Sequence, residues 1–281
     1  MINRVTLPST NLDISRLSFG TASLHHLISS RARQTLLQAV LDVGITHFDT
    51  SPYYGYGLAE KELGIFQKRN RGAFTIATKV GLYPPSSQLP GTVNVWARKT
   101  IGKVFPSVSL PVVNWSILFA EKSLTESLRR LKTDCVDILF LHEPNPEVVN
   151  ADEFLLWMEA QKSKGKIRNF GLAGHSEILE NWFKEEHPIA TLLQIKDSCN
   201  QNEADSVLKY NRDLQITYGY LSSGVKSIYC AENGDILLQA LQRNQTGSVL
   251  FSTRRLERIA MLSKKYNWSY SEAARLTDIQ Q

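Results

Sequence analysis

Residues 136–141 read Val136-Asp137-Ile138-Leu139-Phe140-Leu141, a short run with a single polar position. A strand that is apolar on both sides is typical of a parallel sheet covered on both faces. Similar runs recur along the chain, and helical patterns lie between them. The strand candidates are residues 16–21, 46–50, 74–80, 136–142, 167–173, 192–197, 216–221 and 248–253.

The spacing of these eight candidates predicts an α/β fold. Most strand starts fall roughly 25–30 residues apart, which is the length of one strand–helix unit. Eight such units in succession favour a closed (β/α)8 TIM barrel over an open doubly wound sheet. No Gly-x-Gly-x-x-Gly motif follows the first strand, which also counts against a Rossmann fold. Because such barrels run to about 250 residues as one unit, we expect residues 1–281 to form a single barrel domain.

Two segments are expected to extend the barrel. Residues 5–7 and 12–14 flank a turn and predict an N-terminal β-hairpin that plugs the bottom of the barrel. The loop between the third strand and the third helix, residues 81–119, is about twice the usual length and contains five prolines. The loop follows the carboxyl end of a strand, on the face where barrel enzymes place their active sites. Two interpretations of the loop are left open: a lid that covers a substrate, and a segment packed on the surface without a functional role.

Local signals also mark helix boundaries. Gly44 is expected to form a left-handed C-terminal cap of the first helix. Ser123 with Glu126 fits a capping box and predicts a helix start. Asn150 with Glu153 predicts another.

Composition limits the classes of partner. Lys and Arg number 32 and Asp and Glu 27, a net charge of +5 spread along the chain, so we expect neither a nucleic-acid nor a membrane partner. The cysteines Cys135, Cys199 and Cys230 are far apart, without metal-ligand spacing, and we expect no metal site. A sparse, odd set of cysteines suits a reducing cytoplasm, and no stretch has the length and apolarity of a membrane span.

Four titratable residues follow the ends of neighbouring strands: Asp49, Tyr54, Lys79 and His142. Neighbouring barrel strands lie about 4.8 Å apart, so these side chains should converge. Each alone has an ordinary structural interpretation, as a helix cap, a packed ring, a surface charge or a hydrogen-bonding group. Together they suggest that Lys79, held by Asp49, lowers the pKa of Tyr54 for proton donation to a carbonyl, with His142 assisting.

The residues around these positions resemble the aldo-keto reductase superfamily. The most specific block is residues 44–57, Gly-Ile-Thr-His-Phe-Asp-Thr-Ser-Pro-Tyr-Tyr-Gly-Tyr-Gly, and residues 77–81, 137–142 and 165–171 match further blocks. The resemblance implies a catalytic tetrad at Asp49, Tyr54, Lys79 and His142. It also implies NADP(H) bound across the carboxyl ends of the strands, without a Rossmann fold.

Cofactor contacts follow from the same resemblance. It places Gly20 and Thr21 beside the nicotinamide ribose and counts Asp49 among the cofactor contacts. It places Gln194 on the carboxamide, Tyr218 against the nicotinamide ring, and Leu221, Ser222 and Gly224 around the pyrophosphate. It places Ser252, Thr253, Arg254 and Arg258 at the adenosine 2′-phosphate. That basic segment favours NADPH over NADH, and an exposed basic helix end is the alternative.

Two positions depart from the family pattern. Ala173-Gly174 stands where the family usually has Ser-Asn, which removes side-chain partners of the carboxamide. His175 either substitutes for them or lies at a helix end. Ser252 stands where many members have a lysine.

The resemblance implies an NAD(P)H-dependent oxidoreductase that interconverts aldehydes or ketones with their alcohols. An NAD(P)-dependent aldose or sugar dehydrogenase is a second hypothesis, with a sugar as the small-molecule substrate. A regulatory subunit that binds the cofactor with little turnover is a third, from another class. Oligomeric state is left open.

Overall fold

The computed structural model describes residues 2–85, 111–221 and 233–265. The strands within these ranges are β1 Arg4–Thr6, β2 Asp13–Ser15, β3 Leu17–Gly20, β4 His47–Asp49, β5 Thr75–Val80, β6 Leu82–Tyr83, β7 Val112–Val113, β8 Val136–His142, β9 Ile167–Gly174, β10 Leu193–Lys196, β11 Ile216–Tyr218 and β12 Ser248–Phe251. The helices are α1 Ser30–Asp42, α2 Leu58–Arg69, α3 Ile117–Leu131, α4 Ala151–Ser163, α5 Ser176–Lys184, α6 Asp205–Leu208, α7 Asn233–Arg243 and α8 Leu256–Lys265.

Eight of the strands close into a parallel barrel in the order β3-β4-β5-β8-β9-β10-β11-β12, with β12 pairing back to β3. The predicted (β/α)8 architecture and all eight strand candidates are confirmed. Parallel pairing brings the carboxyl ends of all eight strands to one face. In this register Gly20 lies opposite Asp49, and Gln194 lies opposite Ala173.

The predicted N-terminal hairpin is also confirmed. β1 and β2 pair antiparallel, and the apolar side chains at Leu7, Leu12 and Ile14 pack against residues from inside the barrel. The Gln215 side chain donates a hydrogen bond to the Pro8 carbonyl at 2.8 Å. Since Gln215 immediately precedes β11, the hairpin seals the end of the barrel opposite the strand carboxyl ends.

Two predicted helix boundaries are confirmed. Gly44 has φ +91° and donates to the Leu41 carbonyl just after α1, as a left-handed cap requires. The Asn150 side chain accepts a hydrogen bond from the Glu153 backbone N–H and caps α4.

The boundary expected at Ser123 is wrong. Helix α3 begins at Ile117, and Ser123 lies buried within it. Its apolar stripe already starts at Ala120, and burial of that stripe extends the helix beyond the local capping signal. Glu126 forms an ion pair with Arg129 on the next turn instead of capping.

Only the ends of the long loop after β5 lie in the described ranges. There β6 and β7 form a short antiparallel ribbon. The Trp115 ring fills the space beside Gly81, where a Cβ would lie 2.2 Å from the indole, and its edge meets Phe154. Residues 86–110 fall outside the described residues, so the choice between lid and decoration lies there.

No helix within the described residues combines the length and the apolarity needed to cross a bilayer.

Candidate active site

A tight turn after β4 presents Tyr54. The Tyr54 backbone N–H donates to the Ser51 carbonyl, and Gly55, Tyr56 and Gly57 all have left-handed backbones with φ between +55° and +84°. A side chain at position 55 would place its Cβ 2.6 Å from the Cβ of His25. The turn therefore requires glycine at this position, and it leads directly into α2.

Lys79 and Asp49 form a buried ion pair at the strand ends. The Lys79 Nζ lies 2.6 and 2.7 Å from the two carboxylate oxygens of Asp49 and donates to the Thr50 carbonyl at 2.9 Å. Both side chains are buried, with 2% of the Lys79 side chain and 3% of the Asp49 side chain exposed. Burial lowers the pKa of Lys79 and raises that of Asp49, and each charge opposes the effect on its partner.

Tyr54 and His142 complete the cluster. The Lys79 Nζ lies 4.8 Å from the centroid of the Tyr54 ring, within the range of a cation–π contact. The His142 ring meets the Tyr54 ring edge-on, with centroids 6.2 Å apart. The structure thus brings together the four residues that the sequence singles out.

The pKa of Tyr54 shifts opposite to the expected direction. Burial raises it well above its usual value of 10, and the negative charges of Asp49 and Glu143 raise it further. The positive charge of Lys79 is already paired with Asp49, so it does not offset the cost of burying a phenolate at Tyr54. Tyr54 is therefore a protonated donor at neutral pH in this structure.

His142 is neutral. Burial, aided by the charge of Lys79, lowers its pKa well below 6.5. A neutral imidazole keeps both a donor and an acceptor nitrogen, so it is able to hydrogen-bond to a carbonyl oxygen without carrying charge.

A cavity of about 340 Å³ opens in front of these residues. Its walls include Asp49, Tyr54, Lys79 and His142 together with Gly20, Ala22, Ala173, Gln194, Tyr218, Gly219, Leu221, Leu250, Phe251, Ser252 and Arg258. Seven positions assigned to the cofactor from the sequence are among them: Gly20, Asp49, Gln194, Tyr218, Leu221, Ser252 and Arg258.

The other assigned cofactor positions lie elsewhere. The buried Thr21 hydroxyl donates to the Asp49 carbonyl at 3.0 Å. Thr21 is therefore bonded to the end of β4 and does not line the cavity. The Thr253 hydroxyl accepts from the Arg255 N–H, and Arg254 is exposed. Ser222 and Gly224 fall outside the described residues.

Two buried polar atoms in the cavity wall have no partner within the described protein: Oε1 of Gln194 and Nδ1 of His142. An unpaired buried acceptor costs about 1–3 kcal/mol, so such atoms mark places where a ligand completes the hydrogen bonding. The Gln194 side chain is buried at the cavity wall, with 3% of the residue exposed. An amide oxygen that awaits a donor fits the NH2 group of a nicotinamide carboxamide.

A residue that the sequence reasoning missed lies at the departure from the family pattern. The Glu143 carboxylate fills the space beside Gly174 and accepts a hydrogen bond from the His175 N–H at 3.2 Å. His175 is the N-cap residue of α5 and is absent from the cavity wall, which favours its interpretation as a helix end. The available signal was an acidic residue directly after the strand-end His142.

A larger cavity of about 780 Å³ lies between α2 and α3. It touches the back of the Tyr54 turn at residues 55–57, but none of the four strand-end residues lines it. The smaller cavity holds the titratable cluster and the unpaired atoms, and size alone does not locate chemistry.

Within the described residues, no group of three or more His, Cys, Asp or Glu side chains is arranged to hold a metal ion. The cluster itself supplies one ammonium, one carboxylate, one phenol and one imidazole. This set suits proton transfer and stabilisation of charge on an oxygen atom.

A closed parallel barrel with such a cluster at the carboxyl ends of its strands defines a TIM-barrel protein with its candidate site on the usual face. Residues 16–231 match the sequence profile of the aldo/keto reductase family. The chain belongs to this family, and the resemblance seen in the sequence is confirmed.

The chain is similar to several known proteins. It is 28% identical over 229 residues to the aldo-keto reductase YhdN of Bacillus subtilis, covering 78% of this chain and 62% of the relative. It is 33% identical over 173 residues to the D-threo-aldose 1-dehydrogenase of a Pseudomonas species, covering 58% of this chain and 51% of the relative. The chain thus spans less than two thirds of either relative's length.

A solved structure shares the fold. An aldo-keto reductase from Klebsiella pneumoniae, determined in complex with NADPH, superposes with a TM-score of 0.65. The match covers 99% of this chain and 95% of that chain at 16% identity.

Proposed function

We propose that this protein is an NADP(H)-dependent oxidoreductase that interconverts aldehydes or ketones with their alcohols, with Tyr54 as the general acid and base. The observation that carries the proposal is the buried Asp49–Lys79 ion pair, with the Lys79 ammonium 4.8 Å from the centroid of the Tyr54 ring at the wall of the cavity. A bound nicotinamide would supply or accept the hydride.

Each residue has a defined task in this proposal. Tyr54 donates its hydroxyl proton to the carbonyl oxygen as that atom gains negative charge, and takes a proton back in the oxidation direction. Lys79 stabilises the phenolate that the donation leaves, and Asp49 holds Lys79 in place. Neutral His142 hydrogen-bonds to the substrate oxygen and orients it.

The cofactor assignment rests on the cavity wall. Gln194 offers its unpaired oxygen to the carboxamide, and Tyr218 offers a ring against the nicotinamide. Ser252 and Arg258 line the cavity, and with Thr253 and Arg254 they offer hydroxyl groups and positive charge for a 2′-phosphate. The NADPH complex of the structural neighbour supports this choice. NADH is the alternative, and titration of both cofactors into the protein distinguishes them.

The test is Tyr54→Phe. The ring remains against Lys79 while the acid is lost, so we expect kcat for aldehyde reduction to fall at least about 100-fold. Affinity for NADPH, measured by fluorescence titration, should stay near the wild-type value. Tyr53→Phe is the matched control on the same turn and should keep its turnover. Normal turnover by Tyr54→Phe would refute the assigned role.

An aldose dehydrogenase is the second candidate, and a specific relative favours it: the D-threo-aldose 1-dehydrogenase at 33% identity. The chemistry is the same proton and hydride transfer in the oxidation direction. Initial rates with NAD+ and NADP+ on a panel of aldoses, set against NADPH-dependent reduction of an aldehyde panel, decide between the two. Tight cofactor binding with no turnover on either panel would instead indicate a regulatory protein.

We further propose that residues 1–281 act as one barrel domain in a reducing compartment such as the cytoplasm. The three cysteines of the sequence are sparse and odd in number, which suits a reducing environment. A small-molecule carbonyl or sugar is the expected substrate. The net charge of +5 is spread along the sequence without a run of like charges, so we expect no nucleic-acid partner.

A further inference from the structure

A buried carboxylate lies one residue beyond the end of β10. Asp197 has none of its side chain exposed, and its Oδ2 accepts from Arg243 Nε at 2.5 Å, at the end of α7. The same oxygen accepts from the Tyr220 hydroxyl at 2.6 Å, and Oδ1 accepts from the Ala204 backbone N–H at 3.1 Å. A buried charge is costly unless it is paired and hydrogen-bonded, and this carboxylate meets both conditions. These contacts fix the position of Asp197.

Asp197 in turn holds the bend of the chain at the end of β11. Its backbone N–H donates to the Tyr218 carbonyl at 2.7 Å, while its side chain accepts from the Tyr220 hydroxyl. Gly219, between these two tyrosines, has φ +108°, and a Cβ there would lie 3.1 Å from the Asp197 carbonyl oxygen. Asp197 therefore contacts three consecutive residues and sets the path of the chain as it leaves β11.

This bend, residues 218–221, forms part of the cavity wall. Tyr218, Gly219 and Leu221 line the cavity, whereas Tyr220 is buried, with 3% exposed, and bonded to Asp197. Among the described residues, Asp197 does not line the cavity. It therefore acts on a ligand in the cavity only through the bend that it holds.

We propose that Asp197 is a positioning residue for the cofactor: held by Arg243, it fixes the bend at residues 218–221 and so places Tyr218 and Leu221 in the cavity wall. The inference rests on the proposed function in that the ligand of this wall is NADP(H). In the binding mode expected from the sequence, Tyr218 faces the nicotinamide ring and Leu221 the pyrophosphate. The bend therefore governs the nicotinamide half of the cofactor.

Two substitutions loosen the bend to different degrees. Asp197→Asn keeps the shape of the side chain and removes its charge, and we expect the Kd for NADPH to rise about tenfold, equivalent to one charge-assisted hydrogen bond. Arg243 keeps Asp205 as a partner at 2.7 Å, so its charge is not left unpaired. Tyr220→Phe leaves the ion pair intact and removes only the hydroxyl, so a smaller rise of about threefold is expected. Quenching of protein fluorescence on titration with NADPH measures both values without turnover.

A shorter ligand separates positioning from a general weakening of the fold. Adenosine 2′,5′-bisphosphate lacks the nicotinamide half of NADPH and does not reach the wall that Tyr218 forms in the proposed binding mode. Its Kd, measured by isothermal titration calorimetry, should stay near the wild-type value in both variants. A substitution that merely loosened the barrel would weaken the binding of both ligands.

Matched controls remove the same groups at positions away from the cavity wall. Asp213→Asn removes an exposed carboxylate three residues before β11. Tyr210→Phe removes a tyrosine hydroxyl that donates to Glu180 Oε1 at 3.2 Å. Both controls should bind NADPH with the wild-type Kd.

The outcomes are distinct. A folded Asp197→Asn or Tyr220→Phe variant with a wild-type Kd for NADPH overturns the inference, as does an equal loss of affinity for both ligands. If Asp197→Asn does not fold, Tyr220→Phe decides alone, because its ring still fills the same space. A wild-type protein that binds NADPH yet reduces no carbonyl defeats the proposed function while the Asp197 comparison still holds, and one that binds no NADPH overturns both.

Discussion

The pKa of His47 is strongly lowered by the position of this residue inside the barrel. It begins β4, it is fully buried, and its Nδ1 shares a hydrogen bond with the Thr75 hydroxyl at 2.7 Å. Burial, aided by the charge of Lys79, lowers its pKa to about 3. The folded protein therefore keeps a neutral imidazole at a pH where the unfolded chain, with a pKa of 6.5, takes up a proton.

This difference predicts an acid-sensitive stability. The stabilisation is fully present above pH 6.5 and is lost as pH falls from 6.5 toward 3, at up to about 1.4 kcal/mol per pH unit for one proton. We expect His47→Asn, which keeps a polar atom toward Thr75, to be less stable at pH 7 and to show a shallower loss between pH 7 and 5. His142 retains its own contribution to the slope.

Urea denaturation at pH 7, 6 and 5 measures the effect. Thr35→Ser changes an exposed side chain of α1 that does not titrate and should keep the wild-type slope. An unchanged slope in His47→Asn would show that His47 does not cause the pH dependence.

At the scale of elements, the turn carrying Tyr54 depends on the packing of α2 against α3. Glu60 is fully buried in the first turn of α2, where it accepts from the Thr78 hydroxyl at 2.7 Å and from Arg130 Nε of α3 at 2.6 Å. Gly64 lies one turn further along α2. A Cβ there would be 2.1 Å from the Arg130 carbonyl oxygen and 2.8 Å from the Leu131 carbonyl carbon.

Gly64→Ala is therefore expected to destabilise the protein, although alanine favours an isolated helix by about 1 kcal/mol over glycine. The colliding atoms belong to the backbone of α3 and have no rotamer to change, so the helices must separate. Overpacking of this kind costs about 1–3 kcal/mol, which outweighs the helix preference. Thermal unfolding should show a lower Tm for Gly64→Ala, while Lys68→Ala on the exposed face of α2 should match or exceed wild type. A more stable Gly64→Ala would contradict the close approach.

For the whole molecule, closure of the barrel is the decisive event, because β12 must pair with β3 across more than 200 residues of chain. Arg16 stands at this seam. Its guanidinium donates to four backbone carbonyls that end α7 and lead into β12: Leu241 at 2.9 Å, Asn244 at 2.7 Å, Gln245 at 2.8 Å and Gly247 at 2.5 Å.

We expect Arg16→Met to lower the free energy of unfolding by about 2–4 kcal/mol, because it leaves these carbonyls without their charged donor. The kcat should change little, since the seam lies at the end of the barrel away from the cavity. Arg129→Met, which removes an exposed ion pair, should cost less than about 1 kcal/mol. Chemical denaturation of both variants makes the comparison, and equal losses would count against a special role for Arg16.

The sequence by itself determined the eight strands, the barrel, the hairpin and the four strand-end residues. These features follow from local apolar periodicity and from the geometry of parallel strands, whose carboxyl ends meet on one face. Runs such as residues 136–141 specify a buried parallel strand without reference to the rest of the chain.

Only the tertiary structure decided the pKa shifts and the packing contacts between distant residues. The pKa of Tyr54 rises because burial and the carboxylates of Asp49 and Glu143 disfavour the phenolate, while the ammonium of Lys79 is already paired with Asp49. The sequence offers no measure of that burial. The Glu143 carboxylate meets Gly174 across neighbouring strands, and α3 starts before its capping signal because its apolar stripe is buried. Each depends on contacts between residues distant in the chain, and such contacts exist only after the barrel has closed.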